Sequence, residues 1–105
     1  MVEKFNNHLI KLYNVKFNIS VWENENLVWL NLIYVPKKYR CKGIATEILN
    51  DFIKWLDTNG FNSSLLVGDC YGMSEGKLIN FYKKFGYEID YRMNKNLYLF
   101  RKSLI

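Results

Sequence analysis

The sequence has little of several residue types that would point to other classes of protein. It contains one histidine, His8, and two cysteines, Cys41 and Cys70, which lie far apart and lack the spacing of metal ligands. No apolar run approaches the roughly 20 residues of a membrane span, and the first residues lack the layout of a signal peptide. We therefore expect a cytoplasmic protein with reduced thiols, no metal site and no membrane association.

Composition and charge favour a small folded domain with a site for an anionic ligand. The chain has 105 residues, 50% of them hydrophobic and 17% aromatic, which predicts one packed domain. Its net charge is +5, and the basic residues are spread along the chain rather than clustered. A solvated surface with a pocket for a polyanionic cofactor explains this distribution better than a nucleic-acid partner does. A nucleic-acid-binding domain is the less favoured alternative.

The first third of the chain predicts strands. Residues 8–13 and 15–22 alternate in part and are rich in residues that suit strands, which indicates an antiparallel pair or one long bent strand. After a polar turn, residues 27–35 are nearly continuous apolar sequence, interrupted only by Asn31. This pattern is typical of a strand that is buried on both faces. Pro36 ends the strand because proline cannot donate to a strand ladder.

A helix and a second buried strand follow. Residues 43–58 predict an amphipathic helix that ends at Gly60. Its apolar residues lie on one face at helical spacing: Ala45, Ile48, Leu49, Phe52, Ile53 and Leu56. Residues 64–68 are a short apolar run and predict the next strand. Strand, helix and strand together imply a right-handed parallel unit.

The last third predicts a second helix and two short strands. Ser74 is a suitable N-cap for the helix, and Gly86 ends it. The apolar residues of this helix are Leu78, Phe81, Tyr82 and Phe85. Residues 87–91 and 97–101 read as strands that are joined by a turn at residues 94–96.

The loop before the first long helix carries the strongest functional signal. Residues 35–46 read V-P-K-K-Y-R-C-K-G-I-A-T. The first amides of a helix have no intrahelical partner, and the helix dipole favours negative charge there. Arg40 and Lys42 add full positive charges, and Gly43 has no Cβ, so a ligand can approach the backbone closely. The loop therefore predicts a cradle for a polyanion.

Two stretches resemble motifs of the GNAT acetyltransferases. Residues 40–45, R-C-K-G-I-A, resemble the (Arg/Gln)-x-x-Gly-x-(Gly/Ala) signature with which that family holds the pyrophosphate of acetyl-coenzyme A. Residues 78–87, L-I-N-F-Y-K-K-F-G-Y, resemble the family's F-Y-x-K-x-G-F segment. The resemblance covers most of residues 27–91. It implies an α/β (α+β) fold with a mixed sheet, a central parallel β-α-β unit and two main helices, while the usual N-terminal helices are missing.

The resemblance also implies acetyl-coenzyme A as cofactor and assigns residues to it. The implied cofactor-binding residues are Ile33, Tyr34, Val35, Arg40, Cys41, Lys42, Gly43, Ile44, Ala45 and Thr46. The first three would act through their main chain on the pantetheine arm, in a gap where two strands splay apart. Cys41 stands where many members carry glycine. Tyr82 occupies the position of the family's general acid, whose hydroxyl points at the coenzyme sulfur, although a core side chain at this place is an open alternative.

The sequence identifies neither the general base nor the acceptor. Some members carry a glutamate on the strand before the loop, but this chain has no carboxylate there. Asp69, Glu75 and Asp90 are the candidate substitutes, acting directly or through water, but a surface or capping role explains each of them better. The general acid and base would serve direct attack of an amine on the thioester within a ternary complex.

The short stretch before the first motif predicts an open acceptor side. An amine on a macromolecule, such as a protein lysine, suits this layout better than a small molecule in a deep pocket. One alternative is a GNAT-fold binding module that has lost the chemistry. Another is an anti-CRISPR-type protein lysine acetyltransferase, because the chain also resembles the very small acetyltransferases of phages and mobile elements. A homodimer is compatible with either reading.

Overall fold

The computed structural model describes residues 7–67, 74–93 and 98–104. The helices and strands within these ranges are α1 (Asn7–Leu12), β1 (Lys16–Trp22), β2 (Leu27–Tyr34), α2 (Ile44–Asn59), β3 (Asn62–Leu66), α3 (Glu75–Lys83), β4 (Glu88–Ile89) and β5 (Tyr98–Arg101). A short 3-10 turn at Glu23–Glu25 joins β1 to β2. A second one, at Lys37–Tyr39, lies between β2 and α2.

The five strands form one mixed sheet in the order β1-β2-β3-β5-β4. Strands β2 and β3 are parallel and are connected through α2, whereas all other neighbours pair in antiparallel fashion. The mixed α+β fold with a central parallel β-α-β unit and two main helices is therefore confirmed. None of the described helices combines the length and apolarity that crossing a membrane requires.

The apolar face of α2 forms the centre of the core. Ile48, Leu49, Phe52 and Leu56 are fully buried, as the helical spacing in the sequence predicts. The last three contact buried residues of the sheet, namely Val28, Leu30, Leu65 and Leu99. Each such side chain contributes about 1.5–3 kcal/mol through burial. The helix ends where Gly60 adopts φ +68°, a left-handed conformation that favours glycine.

The N-terminal segment differs from the sequence prediction. A strand at residues 8–13 was wrong, because this stretch forms α1 and the turn that follows it. Leu9, Ile10 and Tyr13 lie on one side of this short helix and pack against a second apolar cluster around Ile44. The amide of Tyr13 donates to the carbonyl of Leu9 at 3.0 Å. Six helical residues are too few for the helical period to be distinguished from alternation in the sequence.

The remaining elements lie close to their predicted positions. Strand β3 begins two residues earlier than predicted, because the amide of Asn62 donates to the carbonyl of Asn26 at 3.0 Å and so starts the parallel ladder there. Ser74 is confirmed as the N-cap of α3, since its Oγ accepts a 3.2 Å hydrogen bond from the amide of Lys77. The predicted loop at residues 68–72 and the predicted turn at residues 94–96 lie outside the described residues.

Candidate functional site

The parallel pair β2 and β3 separates at the centre of the sheet. Their pairing runs from Leu27 opposite Asn62 to Leu30 opposite Leu65. Strand β2 then continues to Tyr34 and, among the described residues, pairs there with β1 alone. The last residues of β2 therefore face a gap along one edge of the strand rather than a neighbouring strand.

A β-bulge at Asn31 lies where the two strands separate. The register of β1 and β2 shifts there, because Ile19 pairs with Leu30 and Asn18 pairs with Leu32. The Nδ2 group of Asn31 donates to Asn18 Oδ1 at 2.8 Å and to Ser20 Oγ at 2.7 Å. Because a bulge bends the strand that carries it, these bonds hold β2 in the direction that leads away from β3.

The gap between the strands opens into a cleft of about 620 Å³. Its walls come from the end of β2, the loop after it, the first turn of α2, the end of β3 and one face of α3. The predicted site residues that line it are Ile33, Tyr34, Val35, Arg40, Cys41, Gly43, Ile44, Ala45, Thr46 and Tyr82. Lys42 is exposed and is not part of the lining. Sequence reasoning thus selected residues that the fold brings together from two separate stretches.

The mouth of α2 presents main-chain donors to this cleft. The first amide of the helix to bond within it is that of Glu47, which donates to the carbonyl of Gly43 at 3.0 Å. The preceding amides, of residues 44–46, have no intrahelical acceptor by the geometry of a helix start. Gly43 adopts φ +79°, and a Cβ atom there would meet nothing within 4 Å. A ligand can therefore approach the helix mouth without steric obstruction from this residue.

Cys41 adopts an unusual backbone conformation in the same loop. Its φ is +64°, in the left-handed region that side chains with a Cβ avoid at a cost of about 1–2 kcal/mol. The thiol is free and exposed. This backbone conformation suits glycine better than a residue with a Cβ, and it identifies Cys41 as a strained loop residue.

Arg40 is turned back toward the strand from which the loop departs. Its Nε donates to the main-chain carbonyl of Val35 at 2.8 Å, and its guanidinium lies 5.2 Å above the centre of the Tyr34 ring. The side chain thus closes the loop on the end of β2. Sequence reasoning expected Arg40 and Lys42 to face phosphate groups directly, and it had no means of detecting this loop-closing contact.

Tyr82 lies on the face of α3 that lines the cleft. It is half-buried, and burial raises the pKa of its hydroxyl to about 12. Its ring packs edge to face against Phe81 at 5.4 Å and against Tyr87 at 5.9 Å between ring centres. Tyr82 therefore keeps its proton at neutral pH and is fixed by aromatic neighbours on two sides.

Lys77 lines the cleft but was missed in the sequence. Ser74, Lys77, Leu78, Phe81 and Tyr82 all line it, and their spacing along α3 places them on one helical face. The sequence did contain a signal for Lys77, namely its helical spacing from Tyr82, which the motif had already identified. Lys77 is exposed and brings a cation to the cleft.

Neither of the two candidate general bases that the structure describes, Glu75 and Asp90, lines the cleft. Glu75 is exposed and does not line the cleft. Asp90 is engaged by Arg92, whose Nε lies 2.8 Å from its Oδ1 and whose hydrogen bonds hold the pKa of the carboxyl below its usual value. Asp69 lies outside the described residues. Within the described ranges, no carboxylate lines the cleft.

The mixed sheet is split at its central parallel pair, and the N-terminus of α2 lies at the split, so the α+β domain carries a cleft at this place. The chain belongs to the GNAT family, because the sequence model described as "Acetyltransferase (GNAT) family" matches residues 2–87. This membership supports acetyl-coenzyme A as the cofactor. A comparison with curated protein sequences gave no match.

Solved structures of N-acetyltransferases share the fold. Ard1 from Thermoplasma volcanium superposes with a TM-score of 0.65 at 17% identity, over 87% of this chain and 64% of its own. PaiA N-acetyltransferase from Thermoplasma acidophilum, in complex with coenzyme A, gives 0.59 at 19% identity over 84% and 51%. Arabidopsis thaliana Naa50, in complex with the bisubstrate analogue CoA-Ac-MVNAL, gives 0.56 at 23% identity over 82% and 60%. The chain thus spans between about half and two thirds of the length of these structures.

Proposed function

We propose that the protein is an acetyl-coenzyme A-dependent N-acetyltransferase that acts on an amine by direct attack in a ternary complex. The observation that carries this proposal is a cleft lined by the ends of β2 and β3 where they separate, by the N-terminus of α2 and by the side chain of Tyr82. Membership of the GNAT family supports the same reaction class.

The residues around the cleft fit the proposed cofactor. The free edge of β2 after Leu30 offers main-chain amide and carbonyl groups to the amide-containing pantetheine arm. The amides of residues 44–46, with Gly43 beside them, suit the diphosphate. When bound, the cofactor supplies the acetyl group as a thioester.

The main chain at the end of β2 would also stabilise the negative charge that develops on the acetyl oxygen. A preorganised amide donor of this kind lowers the activation barrier by on the order of 3 kcal/mol. The loop-closing hydrogen bond from Arg40 to the carbonyl of Val35 holds this strand end in place. Such fixed geometry is what makes a main-chain donor effective, because no reorganisation is needed during the reaction.

Tyr82 would donate a proton to the departing sulfur. A phenol with a pKa of about 12 remains protonated at neutral pH, so the proton is present when the thiolate forms. Because no described carboxylate lines the cleft, we infer that the acceptor amine enters in its neutral form or loses its proton to water. The reaction rate should then rise with pH toward the pKa of the amine, about 10.4 for a lysine side chain.

The acceptor is proposed to be an amine on a peptide or protein, such as a lysine side chain. Leu66 is 48% exposed and borders the cleft, whereas Trp22, 50% exposed, pairs with Leu27 at the other end of β2. An exposed apolar side chain at the edge of the cleft suits a polypeptide better than a small polar amine. The peptide portion of the analogue bound to Naa50 supports a polypeptide acceptor within this fold.

The second candidate is a binding module that keeps the cofactor site but has lost the chemistry. The lack of a carboxylate among the described lining residues favours it. Titration calorimetry with acetyl-coenzyme A, combined with a thiol-release assay against small amines and lysine peptides, separates the two. Binding with acceptor-dependent thiol release is expected for the enzyme, whereas binding without release for any acceptor identifies the module. No binding at all would contradict both.

A further inference from the structure

Tyr87 carries a hydroxyl group into the fully buried core. Its exposure is 0%, as is that of Ser63, and the two hydroxyl oxygens lie 2.7 Å apart in a hydrogen bond. A buried hydroxyl without a partner costs about 1–3 kcal/mol, and this pair satisfies both groups.

Ser63 belongs to the rigid centre of the sheet. In the ladders of β3 it pairs with Val28 of β2 on one side and with Arg101 of β5 on the other. The parallel ladder ends two residues later at Leu65, where the cleft begins. The hydrogen bond therefore fixes Tyr87 to the last fully paired part of the sheet before the split.

The ring of Tyr87 is in turn a support for Tyr82. The ring centres are 5.9 Å apart at an interplanar angle of 73°, which is an edge-to-face contact. The chain returns beneath Tyr82 through a tight turn in which Phe85 donates its amide to the carbonyl of Tyr82 at 2.9 Å. Gly86 makes this turn possible with φ +94°.

We propose that Tyr87, held by Ser63, is a positioning residue that sets the direction of the Tyr82 side chain in the cleft. This inference depends on the proposed function, in which the Tyr82 hydroxyl serves the departing sulfur. The distance from hydroxyl to sulfur decides proton transfer, and misplacement by about 1 Å can cost on the order of a hundredfold in rate. Anchoring the supporting ring at its far end prevents such a shift.

The test compares Tyr87→Phe, Ser63→Ala and the double variant Ser63→Ala/Tyr87→Phe. Each single variant leaves one buried hydroxyl unpaired and should lower stability, and the double variant should recover part of that loss because neither hydroxyl remains. We expect kcat to fall on the order of tenfold in all three, with the KM for acetyl-coenzyme A changing less than about twofold. Recovery of kcat together with stability in the double variant would overturn the proposal, as would unchanged kcat in both single variants.

Two controls separate positioning from general destabilisation. Leu56→Val weakens the same core but leaves the Ser63–Tyr87 hydrogen bond and the Tyr87–Tyr82 ring contact in place, so it should reduce stability without changing kcat. In a Tyr82→Phe background, Tyr87→Phe should reduce kcat by less than about twofold further, because the group that it positions is gone. A full further loss there would contradict the proposal.

Crystal structures of the variants decide the positioning claim independently of turnover. If the wild-type protein binds the cofactor but shows no turnover, the proposed enzyme activity fails. A displaced Tyr82 ring in Tyr87→Phe still supports the positioning role, and an unmoved ring overturns it.

Discussion

Arg40 Nε donates a 2.8 Å hydrogen bond to the main-chain carbonyl of Val35, so the loop is tied to the strand from which it departs. Four residues lie between the two partners, and the chain there turns through the 3-10 segment Lys37–Tyr39. The contact fixes the end of β2 relative to the mouth of α2. These two elements supply the main-chain groups that we assign to the cofactor, so their relative position determines whether it can bind.

Gly43→Glu should abolish binding of acetyl-coenzyme A, because a carboxylate at the mouth of α2 would repel the diphosphate and occupy its place. Gly60→Glu is the matched control. Both glycines flank α2, with φ +79° and +68°, and a Cβ would meet nothing within 4 Å at either. The two variants should therefore carry similar backbone strain. Calorimetry should show binding for Gly60→Glu alone, and equal loss in both would mean that strain rather than the site is responsible.

Tyr82→Phe should reduce kcat by about 10- to 100-fold, because the proton donor to the leaving sulfur is removed. The dissociation constant for acetyl-coenzyme A should change less than about twofold, since the ring remains in place. Tyr91→Phe removes a hydroxyl from a side chain that is 80% exposed and serves as the control. Steady-state kinetics with unchanged turnover for Tyr82→Phe would exclude Tyr82 as the acid.

Lys77→Gln should weaken binding of acetyl-coenzyme A by about two- to fivefold, the range expected for an exposed charge pair. The dependence of affinity on salt should also become shallower, because the cleft that is proposed to hold the phosphates loses one cation. Lys84→Gln makes the same change just after α3, at an exposed residue outside the cleft lining. Calorimetry at two salt concentrations distinguishes the variants, and equal weakening in both would indicate only a general effect of net charge.

Cys41→Gly should raise the free energy of unfolding by about 0.5–1 kcal/mol. Glycine relieves the strain at φ +64°, and its greater freedom in the unfolded chain offsets part of the gain. Cys41→Ser keeps the Cβ and should give no such increase. Urea denaturation measures both variants, and a loss of stability in Cys41→Gly would show that the thiol makes a favourable contact.

Asp57→Asn should lower the free energy of unfolding by about 2–4 kcal/mol, because the nearly buried guanidinium of Arg101 would lose its ionic partner. The two side chains are joined by hydrogen bonds of 2.8 and 3.0 Å. Asp51→Asn, the same change elsewhere on α2, should have a smaller effect.

The same ion pair predicts a dependence of stability on pH. The hydrogen bond from Arg101 lowers the pKa of Asp57 in the folded state. The contribution of the ion pair to the free energy of unfolding is therefore complete above the pKa of Asp57 in the unfolded chain, ~3.9. It is lost as the pH falls through the lower pKa of Asp57 in the folded state. Denaturation curves at several acidic pH values should show this loss in the wild type and a smaller one in Asp57→Asn. An equal loss in both would assign the acid sensitivity to other groups.

The parts of the fold that depend on long periodic patterns could be predicted from the sequence. Sixteen residues of α2 repeat an apolar face often enough to fix the helix and its buried side. The six residues of α1 do not, and they were mistaken for a strand. The turn of a helix and the alternation of a strand differ too little over so short a stretch.

The candidate site was predictable in its location but not in its detailed contacts. The loop at residues 40–46 and the helix of Tyr82 could be found because each carries a local motif, and both line one cleft. The bulge at Asn31 and the return of Arg40 to Val35 depend on partners 5 to 13 residues away. Such contacts depend on the direction of individual side chains, which no periodicity in the sequence encodes.

A crystal structure of the protein with acetyl-coenzyme A tests the central claim most directly. We predict that the diphosphate accepts hydrogen bonds from the main-chain amides of residues 44–46 and that the pantetheine arm lies between β2 and β3, with the sulfur near the hydroxyl of Tyr82. A cofactor bound elsewhere on the molecule, or a cleft that stays free of it at saturating concentration, would contradict the account.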